Sequence, residues 1–113
     1  MKWAAENQVK AGAAGGIEAV VKAINTHINN ADVCENGCSA LCNITANNGK
    51  TVTNNKHINK MEIDENQVKA GITGGIEAVV KAINIHINDA NVCEQGCVAL
   101  MYITANNSKN TDK

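Results

Sequence analysis

The sequence predicts an all-α solenoid in which two copies of one three-helix unit stack on each other. Three observations carry that expectation. Residues 6–50 and 65–109 align at a constant offset of 59, with 35 of 45 positions identical, and repetition on this scale is the mark of stacked architectures. Apolar residues recur at three- and four-residue spacing as Ile17, Val20, Val21, Ile24 and Ile28, and again as Ile76, Val79, Val80, Ile83 and Ile87. That is the period of one helix face rather than the alternation of a strand. Glycine pairs at Gly15-Gly16 and Gly74-Gly75 break the pattern at the same place in each copy.

Each unit opens with the segment NQVKAG, which predicts a short separate helix over Glu6 to Ala11. The glycine pair follows as a bend, because glycine tolerates backbone angles that other residues resist. A medium helix of about three turns carries the first apolar stripe. The polar turn after it holds Asn30 and Asp32, mirrored as Asp89 and Asn91. Either start of the next helix therefore has a capping oxygen and a carboxylate near the positive end of the dipole. The third and longest helix presents Val33, Gly37, Ala40, Leu41 and Ile44, repeated as Val92, Gly96, Ala99, Leu100 and Ile103. Residues 51–64, with Lys56, His57 and Lys60, read as a polar insertion between repeat 1 (about 6–50) and repeat 2 (about 65–109). At 113 residues without a Gly/Ser-rich linker, the whole chain is expected to be a single domain.

Composition narrows the function classes. Apolar residues make up 44% of the chain, yet Trp3 and Tyr102 are its only aromatic residues. The core must be built from small and β-branched side chains, each buried Val or Ile stabilising by roughly 1.5 to 3 kcal/mol. A net charge of -1, ten scattered Lys and no Arg argue against a nucleic-acid partner, which calls for clustered cations. Met1 to Glu6 does not read as a signal peptide, and no window approaches a membrane span. Five cysteines, an odd number, point to a reducing, cytoplasmic setting rather than a disulfide framework. In that setting the sequons at Asn43 and Asn106 are accidental.

Short helix, glycine bend, medium helix, polar turn and longer helix together resemble the armadillo repeat. The Gly15-Gly16-Ile17 junction, Val20-Val21 and the run Val33 to Thr45 carry the resemblance, repeated through Gly74, Gly75, Ile76, Leu100 and Ile103. Gly37 stands where the family usually has a buried Ala, and Leu41 and Ile44 stand at its apolar anchors. A HEAT-like helical pair is the structural rival. The resemblance implies a right-handed α-α superhelix whose third helices line a concave protein-binding groove. In importin-α-like members the two groove positions are typically Trp and Asn. Here they correspond to Ser39 and Asn43, and in the second copy to Val98 and Tyr102, so only Asn43 keeps the family's residue and a nuclear-signal ligand is not expected.

Several residues raise chemistry. Cys34, Cys38 and Cys42 lie four apart, with His27 on the preceding helix, which invites a metal or thiol reading. Three ligands along one straight helix span two turns and cannot converge on one ion, so small soft residues filling the contact between stacked helices explain them better. A Cys-His nucleophile lacks a third group to orient it. His27 and His86 are expected at the edge of the core, bonding a helix end, and His57 in solvent. Residues 12–16 and 71–75 precede a helix as an anion cradle would, but lack the Lys-Ser/Thr ending of a phosphate loop, and a packing bend explains them better. No paired carboxylates, Ser-His-Asp set or metalloprotease signature appears.

The expected function is a non-enzymatic protein-interaction module, an adaptor or scaffold without a cofactor, that contacts a protein or extended peptide through Ser39, Asn43, Val98 and Tyr102. The alternative is a cysteine-based thiol or metal-binding protein. Core positions match between the copies whereas 39/98, 42/101 and 43/102 differ, as expected either of a shared scaffold with differentiated surfaces or of drift at unconstrained sites. Tyr102 is the leading contact residue, since tyrosine joins apolar area to a hydrogen-bonding tip. Two units are fewer than such stacks usually need. Trp3 and the polar tail from Asn106 are candidate caps, and marginal stability or self-association through the end faces is expected.

Overall fold

The computed structural model describes residues 2–46 and 60–105, and among them every regular element is helical. Six helices follow in order: α1 (Lys2–Ala13), α2 (Gly16–Thr26), α3 (Ala31–Thr45), α4 (Lys60–Ile72), α5 (Gly75–Ile85) and α6 (Ala90–Ile103). The offset of 59 carries α2 onto α5 and the start of α3 onto that of α6, so each copy folds as the same helical trio. No helix among the described residues is long and apolar enough to cross a membrane. The side chain of Trp3, the stretch 51–59 with Lys56 and His57, and the tail from Asn106 lie outside the described residues.

Two boundaries differ from the sequence reading. The first helix starts at Lys2 and runs to Ala13 rather than covering Glu6 to Ala11 alone. Likewise α4 begins at Lys60, so residues 60–64 of the expected insertion are its first turn, as suits the helix-favouring Lys60, Met61 and Glu62.

The glycine joint works through two separate effects. Gly15 and Gly74 sit at φ 91 and 92, in the left-handed region that a Cβ disfavours. At Gly16 and Gly75 the limit is space, since a Cβ would lie 2.8 Å from the Ala11 carbonyl oxygen and 2.6 Å from that of Ala70. The first glycine turns the chain and the second lets α2 or α5 start against the helix before it.

The next corner depends on caps. The His27 N–H closes α2 on the Ala23 carbonyl, and the Asn30 N–H bonds the His27 carbonyl at 2.8 Å. Asn30 then caps α3, its Oδ1 accepting from the Val33 N–H at 3.1 Å. In the second copy Asp89 Oδ1 accepts from both Asn91 and Val92 N–H groups, at 3.0 and 3.2 Å. Asp89→Ala is expected to cost about 1 to 2 kcal/mol, more than Asn30→Ala, because the carboxylate also meets the helix dipole. Urea titrations of both variants check this, and equal midpoints would show that the second bond and the charge contribute nothing.

The two units lie side by side, and α3 against α6 forms the most extensive helix pairing. Their matching stripes are not buried in the same way. Unit 1 buries Ile17, Val21, Ile24, Cys34, Cys38 and Cys42, while the equivalents Ile76, Val80, Ile83, Cys93, Cys97 and Met101 are half-buried or exposed. Unit 2 in turn buries Ala78, Val79, Ala82, Val92, Ala99 and Ile103, whose equivalents in unit 1 are half-buried or, at Ala19, exposed. Each unit thus has two apolar faces, and the core forms where the second face of unit 1 meets the first face of unit 2. Val80, at 42% exposure against 5% for Val21, and Ile87 therefore depart from the sequence expectation of two equally buried stripes.

Inside each unit Ile24 and Ile83 fill the space where a side chain at Gly37 or Gly96 would stand. A Cβ would fall 2.5 Å and 2.6 Å from their Cγ1 atoms. The alanine that the resembling family usually carries there has no room in either copy.

Candidate functional site

The four positions that the sequence marks for partner contact fall on the paired third helices. Ser39 and Asn43 stand on α3, half-buried and exposed respectively. Val98 and Tyr102 occupy the equivalent places on α6, both half-buried and packed against the core. Four-residue spacing sets each pair on one helix face, and the close pairing of α3 with α6 brings the two faces alongside. Glu35 and Glu94 extend the same rows by one turn towards the helix N-termini.

What holds the ends of these rows is a set of amides that the sequence reading passed over. Gln8 Nε2 donates to the carbonyls of Asn43 and Ala46, at 2.6 and 2.9 Å. Gln67 Nε2 donates to the Tyr102 carbonyl at 2.8 Å. Both bond carbonyls at a helix C-terminus, where intrahelical donors run out, and the Tyr102 carbonyl also accepts from the Ala105 N–H at 3.3 Å. Their Oε1 atoms are buried without a partner among the described residues, a cost of about 1 to 3 kcal/mol each.

A second set of donors joins the units. Asn66, only 5% exposed, donates through Nδ2 to the carbonyls of Gln8 and Ile44, at 2.9 and 3.2 Å. Lys69 Nζ reaches the Gly12 carbonyl at 3.0 Å and lies 3.6 Å from Glu18; with both groups solvated, that ion pair contributes little. His86 Nε2 donates to the Ile28 carbonyl at 2.7 Å, which requires a proton on that nitrogen and matches the helix-edge role expected of it. His27 is exposed instead, since none of the described residues stacks on its side of unit 1. The identity of NQVKAG in both copies marks Asn66 and Lys69 as repeated positions without showing which carbonyls they bond.

The cysteines of α3 form a buried seam. Burial holds the Cys34 and Cys42 thiols above the ordinary value. The Cys38 thiol is pushed up to about 12 by burial first, and then by the neighbouring sulfurs of Cys34 and Cys42. Nucleophilic or metal-ligating chemistry requires the thiolate, which this seam disfavours. Among the described residues no group of three or more His, Cys, Asp or Glu side chains is arranged to hold a metal ion. All five cysteines are free, and Cys97 is exposed.

Compared with models of known protein families, with curated proteins and with solved structures, the chain matches none.

Proposed function

We propose that this chain is an armadillo-like, non-enzymatic binding module that holds an extended polypeptide along the wall made by α3 and α6. One observation carries the reading: the third helices form the most extensive pairing, and the rows Ser39–Asn43 and Val98–Tyr102, two of the ten aligned positions at which the copies differ, lie on them. Tyr102 supplies apolar area with a polar tip, while Asn43 supplies a donor and an acceptor suited to peptide backbone. The carboxylates of Glu35 and Glu94, one turn along the same rows, favour a peptide that sets a basic side chain beside small apolar ones. Free thiols throughout suit a reducing compartment such as the cytoplasm.

Peptides selected from a display library against the immobilised chain supply the test. Fluorescence anisotropy should show Tyr102→Ala weakening a selected peptide by at least about tenfold, and Asn43→Ala weakening it less, with the circular dichroism of both variants unchanged. Peptides that bind both variants as tightly as the wild type would remove the groove from consideration.

A further inference from the structure

The interface between the two units is built from residues that the chain presents a second time, on the outer faces of the two units, where no described residue packs against them. The outer face of unit 2 repeats the face of unit 1 that is buried in the core, and it is far from polar: Met101, the counterpart of the 6% exposed Cys42, is 60% exposed. Apolar surface of this kind marks an interaction site. At the opposite end, Ala19, Val20 and Val33 of unit 1 repeat the residues with which unit 2 closes the core.

The polar ties recur as well. Asn66, Lys69 and His86 bind unit 2 to backbone carbonyls of unit 1. Their counterparts Asn7, Lys10 and His27 are identical in type and exposed. The carbonyls they would meet one unit further on are those of Gln67, Ile103, Gly71 and Ile87. Gly71 adds an independent sign. In unit 1, a Cβ at Gly12 would collide with the Asn66 side chain, so glycine is required there. At Gly71 only Ile76 Cδ1, at 3.9 Å, comes near the same point, yet glycine stands there, late in a helix whose propensity it lowers.

We propose that the outer face of unit 2 is a docking site for unit 1 of a second copy of this chain. The partner's α1–α3 then stack on α4–α6 as α4–α6 stack on α1–α3, with Asn7 of the partner subunit entering the space above Gly71. The contact is heterologous, each copy offering one face of each kind, so it propagates instead of closing as a two-fold dimer. This surface is separate from the α3–α6 wall and stands whether or not that wall binds a peptide.

Sedimentation velocity on the 113-residue chain tests the pairing. The weight-average mass is expected to climb above the 11.9 kDa of one chain as concentration rises, without levelling at a dimer. Ala19→Glu places a charge on the first face, and Gly71→Ala fills the cleft on the second. Each alone should weaken association by at least about tenfold while keeping helicity and melting temperature, since Ala19 is exposed and Gly71 has room. Each variant retains one intact face of the opposite kind, so an equimolar mixture should form a dimer and nothing larger. Asn7→Ala, at an exposed position, replaces Ala19→Glu if that variant fails to fold. A wild type that stays at 11.9 kDa up to millimolar concentration overturns the proposal. So does a mixture that remains monomeric, or an Ala19→Glu variant that associates as well as the wild type, which would indicate a like-with-like contact.

Discussion

Gly12→Ala is expected to destabilise the chain by about 2 to 4 kcal/mol, enough to leave a small helical domain largely unfolded near body temperature. The added methyl would occupy the space that Asn66 Oδ1 holds. Helix α1 packs on α4, so either those helices separate or the Asn66 side chain is expelled. Expulsion breaks the bonds to the Gln8 and Ile44 carbonyls, and the part-buried Ile44 acceptor, in the last turn of α3, loses its donor. The control is internal: Gly71→Ala changes the same residue in the same local sequence, but its methyl enters open space. It should leave stability unchanged or raise it by up to about 1 kcal/mol through the ordinary advantage of alanine in a helix. Urea unfolding of the two variants, measured at a concentration where the wild type is monomeric, gives the comparison. Equal effects would mean that Asn66 does not key the units together.

The cysteine seam gives the second large effect, in alkali and towards thiol reagents. The folded chain holds Cys34, Cys38 and Cys42 as neutral thiols, with the folded-state value of Cys38 raised from 9.0 to about 12. Below pH 9 neither state has released the proton and the stabilisation is whole. As the pH climbs from 9 towards 12 the unfolded chain releases it while the folded chain does not, and stability falls by up to about 1.4 kcal/mol per pH unit for each such thiol. Cys38→Ala should flatten that slope between pH 9 and 11 whatever its effect at pH 7. Lysine and tyrosine titrations are common to both proteins and cancel in the difference. A chromogenic disulfide at pH 8 should modify Cys97 promptly and the three seam thiols orders of magnitude more slowly, at the rate of their exposure by opening. Parallel pH slopes, or five thiols reacting in one phase, would contradict the burial.

Much of the fold was legible because repetition and periodicity act locally. The 3.6 period gave the helices, and the glycine pairs gave the bend with its positive φ at Gly15 and Gly74. Asn30 and Asp89 were legible as caps because a side-chain oxygen before an apolar run has few other uses. Which of two equivalent residues would be buried was not legible. Val21 and Val80 have the same local sequence, and only the position of a neighbouring unit makes one core and the other surface. The same limit hid Asn66, whose two acceptors lie 58 and 22 residues away. As for the candidate site, Ser39, Asn43, Val98 and Tyr102 could be placed on the third helices from spacing alone. The glutamines that hold the ends of those helices could not, because Gln8 and Gln67 each act across 35 residues.

Where the two units meet, the packed side chains are mostly Ala, Val and Cys, a surface with little relief on which one helix layer could slip past another by a turn. Asn66 seated over Gly12 prevents this, since a shift of about 5.4 Å along the helix would drive the amide into side chains instead of the gap. Orientation is therefore set by a keyed contact and not by the length of chain that joins the layers. Lengthening the connection after α3 should leave the arrangement intact, with each doubling of its length costing only about 0.6 kcal/mol in closure entropy. A longer engineered array of these units would need the asparagine–glycine key at every boundary far more than it would need a fixed spacer.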